Sequence, residues 1–196
     1  MKWLSALRNP GESLAVSIAG IKLGDRVLML GCGDPSLIAP LAIKTGLTGR
    51  ACALDEDASR TRRAADVSQK DGALVETFIA PWTMLPLDSG AFDVVIIHGV
   101  LSALTPERRA GCVKEAQRAL RPGGRCLVID DAPRGGLGAL LNSRGNAPGR
   151  HYVAAGGAVR ALEAEGFRAV RTVAERERLV FVEGVRGISE RLKAGG

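Results

Sequence analysis

Short apolar segments alternate with longer, more polar stretches along most of this chain, and the alternation constrains the fold more than any single motif does. A short, continuous apolar run bounded by glycines or acids is typical of a strand that is buried on both faces. Such runs occupy 26–31, 50–55, 74–80, 92–99 and 125–131. Helix-type sequence separates most of these runs. The pattern predicts a doubly wound α/β fold with a mostly parallel sheet.

The last part of the chain departs from this alternation. Two further strand-type runs, 167–175 and 178–185, have only Arg176 and Glu177 between them. A link this short cannot hold a crossover helix, so the two runs should pair in the antiparallel sense. The sequence therefore predicts a seven-stranded sheet with an antiparallel C-terminal hairpin.

Length and composition indicate one ordinary globular domain. The chain has 196 residues, of which 46% are hydrophobic, enough for a single core. No segment reaches the length of about 18 apolar residues that a membrane span requires, and the first 20 residues lack a signal-type apolar run. We expect a single domain over 1–196, located in the cytoplasm.

The cysteine pattern does not predict a metal site. None of the four cysteines is paired in a C-x-x-C spacing, and two lie inside strand-type runs. Small buried hydrophobic residues in a reducing compartment explain them better than zinc ligands or a disulfide framework.

A glycine turn follows the first predicted strand in the stretch "RVLMLGCGDPS". Gly31 and Gly33 allow a sharp turn and a close approach of the backbone to a ligand. A dinucleotide fingerprint would have a third glycine where Ser36 stands. Pro35 removes a backbone N–H that could bind a phosphate. The turn therefore disfavours a pyrophosphate-containing ligand.

An acid ends the second predicted strand. Asp55 lies about 20 residues after the turn, where a carboxylate can accept the hydroxyls of a ribose. The alternative is that Asp55 caps the next helix, although Asp57 fits that role equally well. Together, the turn and the acid indicate an adenosine-like ligand without a diphosphate.

The segments "VLMLGCG", "ALDED", "LPLDSGAFDVV" and "ALRPGGRCLVI", in this order along the chain, resemble those of the class I S-adenosylmethionine-dependent methyltransferases. The resemblance is strongest to the small-molecule type that includes the quinone methyltransferases. The most specific segments are "LPLDSGAFDVV" and "ALRPGGRCLVI", and the likeness extends over about 20–186. It implies a Rossmann-like methyltransferase fold and S-adenosylmethionine as the cofactor.

The resemblance also implies roles for individual residues. The segment of Gly31, Cys32 and Gly33 would pass under the methionine and ribose parts of the cofactor, and Asp55 would bind the ribose hydroxyls. The residues near the adenine would be Glu56, Pro81 and Trp82, with Trp82 either stacking on the ring or filling the edge of the sheet. His98 would lie beneath the methyl group and face the substrate.

This sequence departs from the family pattern at three positions. The family usually has an acid at the position of Met29, a glycine at Pro35, and often an aspartate at Pro81. These departures leave open a non-catalytic scaffold or regulatory protein with weakened cofactor binding. A net charge of +6 leaves open an RNA methyltransferase. However, the basic residues are scattered among acids, which makes a nucleic-acid partner the weaker interpretation.

The acceptor is expected to be a small molecule. The Asn/Asp-Pro-Pro-Tyr signature of enzymes that methylate exocyclic amines is absent after the fourth strand, where the sequence is "IIHGVLSAL". His98 is the candidate general base, or else a strand-end histidine bonded to nearby backbone. The Gly- and Pro-rich segment 131–152 is expected to cover the substrate side. His151 and Tyr152, at the end of that segment, are weaker candidates for the base. Asp130 and Asp131 end the fifth strand and could hold a polar acceptor or a metal, although solvated strand-end acids are the more ordinary explanation.

Overall fold

A single mixed sheet forms the centre of the molecule. The computed structural model describes residues 10–132, 148–176 and 178–188. The strands are β1 (Arg26–Leu30), β2 (Arg50–Asp55), β3 (Glu76–Ile79), β4 (Phe92–His98), β5 (Leu120–Asp131), β6 (Arg168–Arg176) and β7 (Leu179–Val185). They form a seven-stranded sheet in the order β3-β2-β1-β4-β5-β7-β6. β7 pairs antiparallel with both β5 and β6, and the remaining pairs are parallel. The predicted fold class and its C-terminal hairpin are confirmed.

Helices cover both faces of the sheet. They are α1 (Pro10–Ala19), α2 (Pro35–Thr45), α3 (Ala58–Lys70), α4 (Pro106–Ala119), α5 (Pro148–Ala154) and α6 (Gly157–Ala164), and a short 3₁₀ turn spans Leu101–Ala103. One apolar cluster joins the sheet to α1 and α2, and another joins it to α4, α5 and α6. Within the described ranges, no helix is both long and apolar enough to cross a bilayer.

The starts of α2 and α4 fix the loops that follow β1 and β4 at the carboxyl edge of the sheet. Pro35 begins α2, and the Asp34 carboxylate accepts the Ser36 N–H at 3.0 Å. At this position a proline loses no intrahelical hydrogen bond. Thr105 caps α4 by accepting the Arg108 N–H on its side-chain oxygen, and Pro106 lies in the first turn.

Some boundaries differ from the predicted ones. β5 begins at Leu120 rather than Arg125, because Leu120 pairs with Phe92 before a register shift in β4. α1 was not predicted, although its Pro10 occupies the first turn, a position that proline favours.

The predicted cover segment 131–152 is only partly within the described residues. Asp131 belongs to β5, and 148–152 belong to α5. The part of the prediction that concerns 133–147 lies outside the described residues. α5 packs against the 3₁₀ turn and α6, and its Tyr152 hydroxyl donates to Asp130 near the carboxyl end of β5.

Candidate active site

The turn after β1 packs directly against the end of β4. Gly31 has a φ of +104°, and a Cβ there would collide with the His98 carbonyl oxygen and lie 2.8 Å from Val100 Cγ2. Its N–H donates to the Leu54 carbonyl at 2.9 Å. Gly31 is therefore required by the protein's own packing as well as by its left-handed backbone.

Gly33 is a glycine of a different kind. A Cβ built on it would meet no atom of the described residues within 4 Å, so the packing of this part of the chain does not require a glycine there. The open space beside Gly33 is consistent with a ligand that approaches the backbone closely.

Asp55 connects this turn to the next helix. Its Oδ2 accepts the Cys32 N–H at 2.8 Å, and its Oδ1 accepts the Asp57 N–H at 2.9 Å. Asp57, rather than Asp55, caps α3 by accepting the N–H groups of Ser59 and Arg60. Asp55 is only 1% exposed, and in this structure its carboxylate orders both the loop between β1 and α2 and the loop between β2 and α3.

Glu56 bridges three segments around the end of β2. Its Oε1 accepts the Trp82 N–H at 2.9 Å, and the Arg108 guanidinium lies 2.6 Å from the same carboxylate. Burial acts to raise the pKa of Glu56, but the hydrogen bonds from Arg108 and Trp82 outweigh it and lower the pKa. Sequence reasoning missed Arg108, although the Thr-Pro-Glu sequence at 105–107 is typical of a helix start and would put Arg108 in the first turn of that helix.

Trp82 and Pro81 differ in exposure. The Trp82 indole is 5% exposed and packs in the cluster that contains Leu54, Leu85 and Val100. This location matches the alternative in which Trp82 fills the edge of the sheet. Pro81 is exposed, and its carbonyl accepts the Met84 N–H at 3.1 Å.

His98 lies at the carboxyl end of β4, beside the end of β5. It is half-buried and pairs in register with Ile129. Desolvation lowers the pKa of His98 below its usual value of 6.5, while Asp34 and Asp131 act in the opposite direction. The imidazole is therefore neutral at pH 7 and has one ring nitrogen free to accept a proton.

Asp130 and Tyr152, two of the weaker candidates, meet on the other side of β5. The Tyr152 hydroxyl donates to Asp130 Oδ2 at 3.0 Å. Asp131 is exposed and faces away from this pair, on the side of His98. Sequence reasoning did not predict the pairing, because Asp130 and Tyr152 belong to different elements, β5 and α5, and only the tertiary fold brings them together.

Among the described residues, no group of three or more histidine, cysteine, aspartate or glutamate side chains is placed to hold a metal ion. The four cysteines are free and buried.

Comparison of the sequence with known proteins finds methyltransferases. Residues 28–128 match the sequence model of the methyltransferase domain. The chain is 32% identical over 123 residues to 2-phytyl-1,4-beta-naphthoquinone methyltransferase from Arabidopsis thaliana. The aligned region covers 61% of this chain and 46% of that protein. It is 29% identical over 126 residues to the ubiquinone/menaquinone biosynthesis C-methyltransferase UbiE of Bordetella parapertussis, covering 64% and 48%. The chain thus spans about half the length of these curated relatives.

Solved structures show the same fold. A SAM-dependent methyltransferase from Aquifex aeolicus superposes with a TM-score of 0.71 at 20% identity, covering 89% of each chain. The apo form of the methyltransferase SibL has a TM-score of 0.70 at 23% identity, covering 94% of this chain and 57% of that one.

Proposed function

Because the chain belongs to the methyltransferase domain family, we propose that it transfers a methyl group from S-adenosylmethionine to a small-molecule acceptor. The observation that carries this proposal is the turn after β1. Gly31 is held against His98 and Val100, while no described residue occupies the space beside Gly33. The carboxyl edge of an open α/β sheet is where such folds bind ligands.

The described residues fit the cofactor, with one adjustment. The Cys32–Gly33 backbone would lie under the methionine and ribose parts. Asp55 would accept ribose hydroxyls, because each carboxylate oxygen can accept a second hydrogen bond. Since Asp55 is 1% exposed, binding requires a small displacement of the turn that carries Cys32. Glu56 and Pro81 would border the adenine.

The methyl transfer requires that the acceptor atom be aligned with the methyl group and that a base accept one proton. When bound, S-adenosylmethionine would supply an electrophilic methyl group on a sulfonium, for transfer to the acceptor atom. His98 would take the proton that the acceptor loses, because its imidazole is neutral at pH 7. The protein contributes mainly by holding the acceptor in line, which accounts for much of the acceleration in such displacements.

The names of the relatives suggest the acceptor class to test first. The curated relatives are named as methyltransferases of naphthoquinone, ubiquinone and menaquinone compounds. We propose a reduced quinone or a similar hydroxylated aromatic ring, since such a ring has both a nucleophilic carbon and an acidic hydroxyl.

Calorimetric titration with S-adenosylmethionine and S-adenosylhomocysteine tests the proposal. We expect micromolar binding, which Asp55→Asn weakens at least about tenfold, as loss of a charged hydrogen-bond acceptor does. Asp71→Asn is the matched control, because it removes an exposed carboxylate near the end of α3. Absence of heat at millimolar ligand, with folded protein, would contradict the enzymatic function.

A non-catalytic scaffold is the second candidate, and the structure has an observation in its favour. Both Asp55 oxygens already accept backbone N–H groups, and Met29, where the family usually has an acid, lies 4% exposed in an apolar cluster. The same titration separates the two candidates, because a scaffold would show no heat with either ligand.

A further inference from the structure

Asp130 is an acid buried at the carboxyl end of β5, on the side of the sheet covered by α4 and α5. It is 1% exposed. Its Oδ2 accepts the Tyr152 hydroxyl at 3.0 Å, but its Oδ1 is buried and has no hydrogen-bond partner among the described residues. An ionised carboxylate with one unsatisfied oxygen is far more costly to bury than a neutral carboxyl group.

Tyr152 connects this acid to the segment that follows His98. The Arg109 guanidinium lies over the Tyr152 ring, with 4.4 Å from Cζ to the ring centroid. Arg109 also donates to the carbonyls of Leu101 and Leu104, at 2.9 and 2.8 Å. One chain of contacts therefore joins β5, α5, α4 and the 3₁₀ turn that begins two residues after Gly99.

We propose that the Asp130–Tyr152 hydrogen bond is a proton-controlled latch that docks α5 onto the carboxyl ends of β4 and β5. The latch goes beyond the proposed function and does not depend on it. With Asp130 neutral, α5 stays docked. With Asp130 ionised, the buried charge favours opening of α5, which lets water reach the carboxylate.

The charged and titratable groups around Asp130 agree with this latch. Burial raises the pKa of Asp130 to about 7, the Tyr152 hydrogen bond and Arg109 lower it, and Asp131 adds to the increase. Cys112 of α4 also faces the acid, but burial raises the pKa of this thiol to about 12, so it stays neutral.

The direction of the pH effect follows from linkage. Asp130 has a pKa of about 7 when docked and about 3.9 when exposed to water. Docking therefore takes up a proton between these two values, and the opening constant of α5 rises up to tenfold per pH unit across that window. Above about pH 7 both states are ionised, and the opening constant becomes independent of pH.

Hydrogen exchange measured by mass spectrometry on the ligand-free protein tests the latch. The opening constant of the α5 amides is obtained between pH 5 and 8, after correction for the intrinsic exchange rate. We expect an increase of about 10- to 100-fold between pH 5 and 7, followed by a plateau. The α3 amides report global opening and should show a smaller slope.

Three variants complete the test. Asp130→Asn should abolish the slope, whereas Asp131→Asn, which removes the exposed neighbouring carboxylate, should keep it. Tyr152→Phe should keep the slope and raise the opening constant about 2- to 10-fold at every pH. A flat wild-type profile, a slope that survives in Asp130→Asn, or an equal slope in α3 would overturn the latch. The wild-type and Tyr152→Phe profiles decide the question even if Asp130→Asn does not fold.

Discussion

Gly31 and Gly33 lie two positions apart in the same turn, yet an added methyl group should have different consequences at each. Gly31→Ala places a Cβ against the His98 carbonyl in a left-handed backbone, which should destabilise the fold by about 1–3 kcal/mol. Gly33→Ala fills open space, so it should leave stability within about 0.5 kcal/mol and reduce cofactor affinity. Urea unfolding and calorimetric titration measure the two effects.

The comparison of these two variants is informative because each controls for the other. If Gly33→Ala left the affinity for S-adenosylmethionine unchanged, the cofactor would not pass close to this backbone. The ligand assignment of the turn would then be wrong.

His98 makes a separate prediction about pH. If its imidazole is the base, the rate of methyl transfer should fall only below about pH 6.5, because protonation removes the base and burial lowers the pKa of His98. His98→Gln should reduce kcat by about 10²- to 10⁴-fold and leave the affinity for S-adenosylmethionine nearly unchanged. His151→Gln is the comparison variant, since His151 is exposed, is the other histidine of the chain and is the weaker candidate for the base; we expect it to change kcat little. Full activity of His98→Gln would favour the alternative of a strand-end histidine.

At the scale of elements, substitution of Pro35 tests whether a proline at the position where the family usually has a glycine weakens cofactor binding. The proline begins α2, where its missing N–H costs no intrahelical bond. Pro35→Ala should therefore lower stability by less than about 1 kcal/mol and change cofactor affinity by less than about threefold. Titration of the variant measures this, and a tenfold gain in affinity would show that the proline obstructs the ligand.

The order of elements could be predicted from sequence because buried parallel strands are continuous apolar runs. The runs at 26–31 and 92–99 fall within one residue of β1 and β4. The short link after 175 excluded a crossover, and the antiparallel β6–β7 pair follows from it. Local sequence and global topology agree in these elements.

The contacts of the site could not be predicted in the same way. Each of these contacts joins residues that are distant in sequence. They are the hydrogen bond from the Cys32 turn to Asp55, the ion pair of Arg108 with Glu56, and the hydrogen bond from Tyr152 to Asp130. A strand-end acid can bind a ribose, cap a helix or order a loop, and only the packing of neighbouring elements decides between these roles.

At the scale of the whole molecule, the reactivity of the four cysteines measures how well the folded core excludes a thiol reagent. All are buried, and burial raises the pKa values of Cys32 and Cys52 to about 12 and about 11. Because the thiolate is the reactive form, we expect no reaction with a disulfide reagent at pH 8 in the native state, and four reacting thiols in denaturant. Rapid reaction of a single thiol in the native protein would reveal local opening.

The distribution of charge makes a prediction about nucleic acids. The net charge is +6, but many described arginines are paired with acids on different strands. Arg26 and Arg121 share Asp93, and Arg125 and Arg171 share Glu183.

RNA binding, which displaces counterions from several phosphates at once, needs a set of unpaired basic residues on one surface. We therefore expect a structured RNA to bind only weakly in 50 mM salt, with little further change at 200 mM, measured by fluorescence anisotropy. Submicromolar binding that weakens by about 10³-fold between these salt concentrations would instead favour an RNA acceptor. In that case the reduced-quinone assignment would have to be abandoned, even though the cofactor site described above would be unaffected.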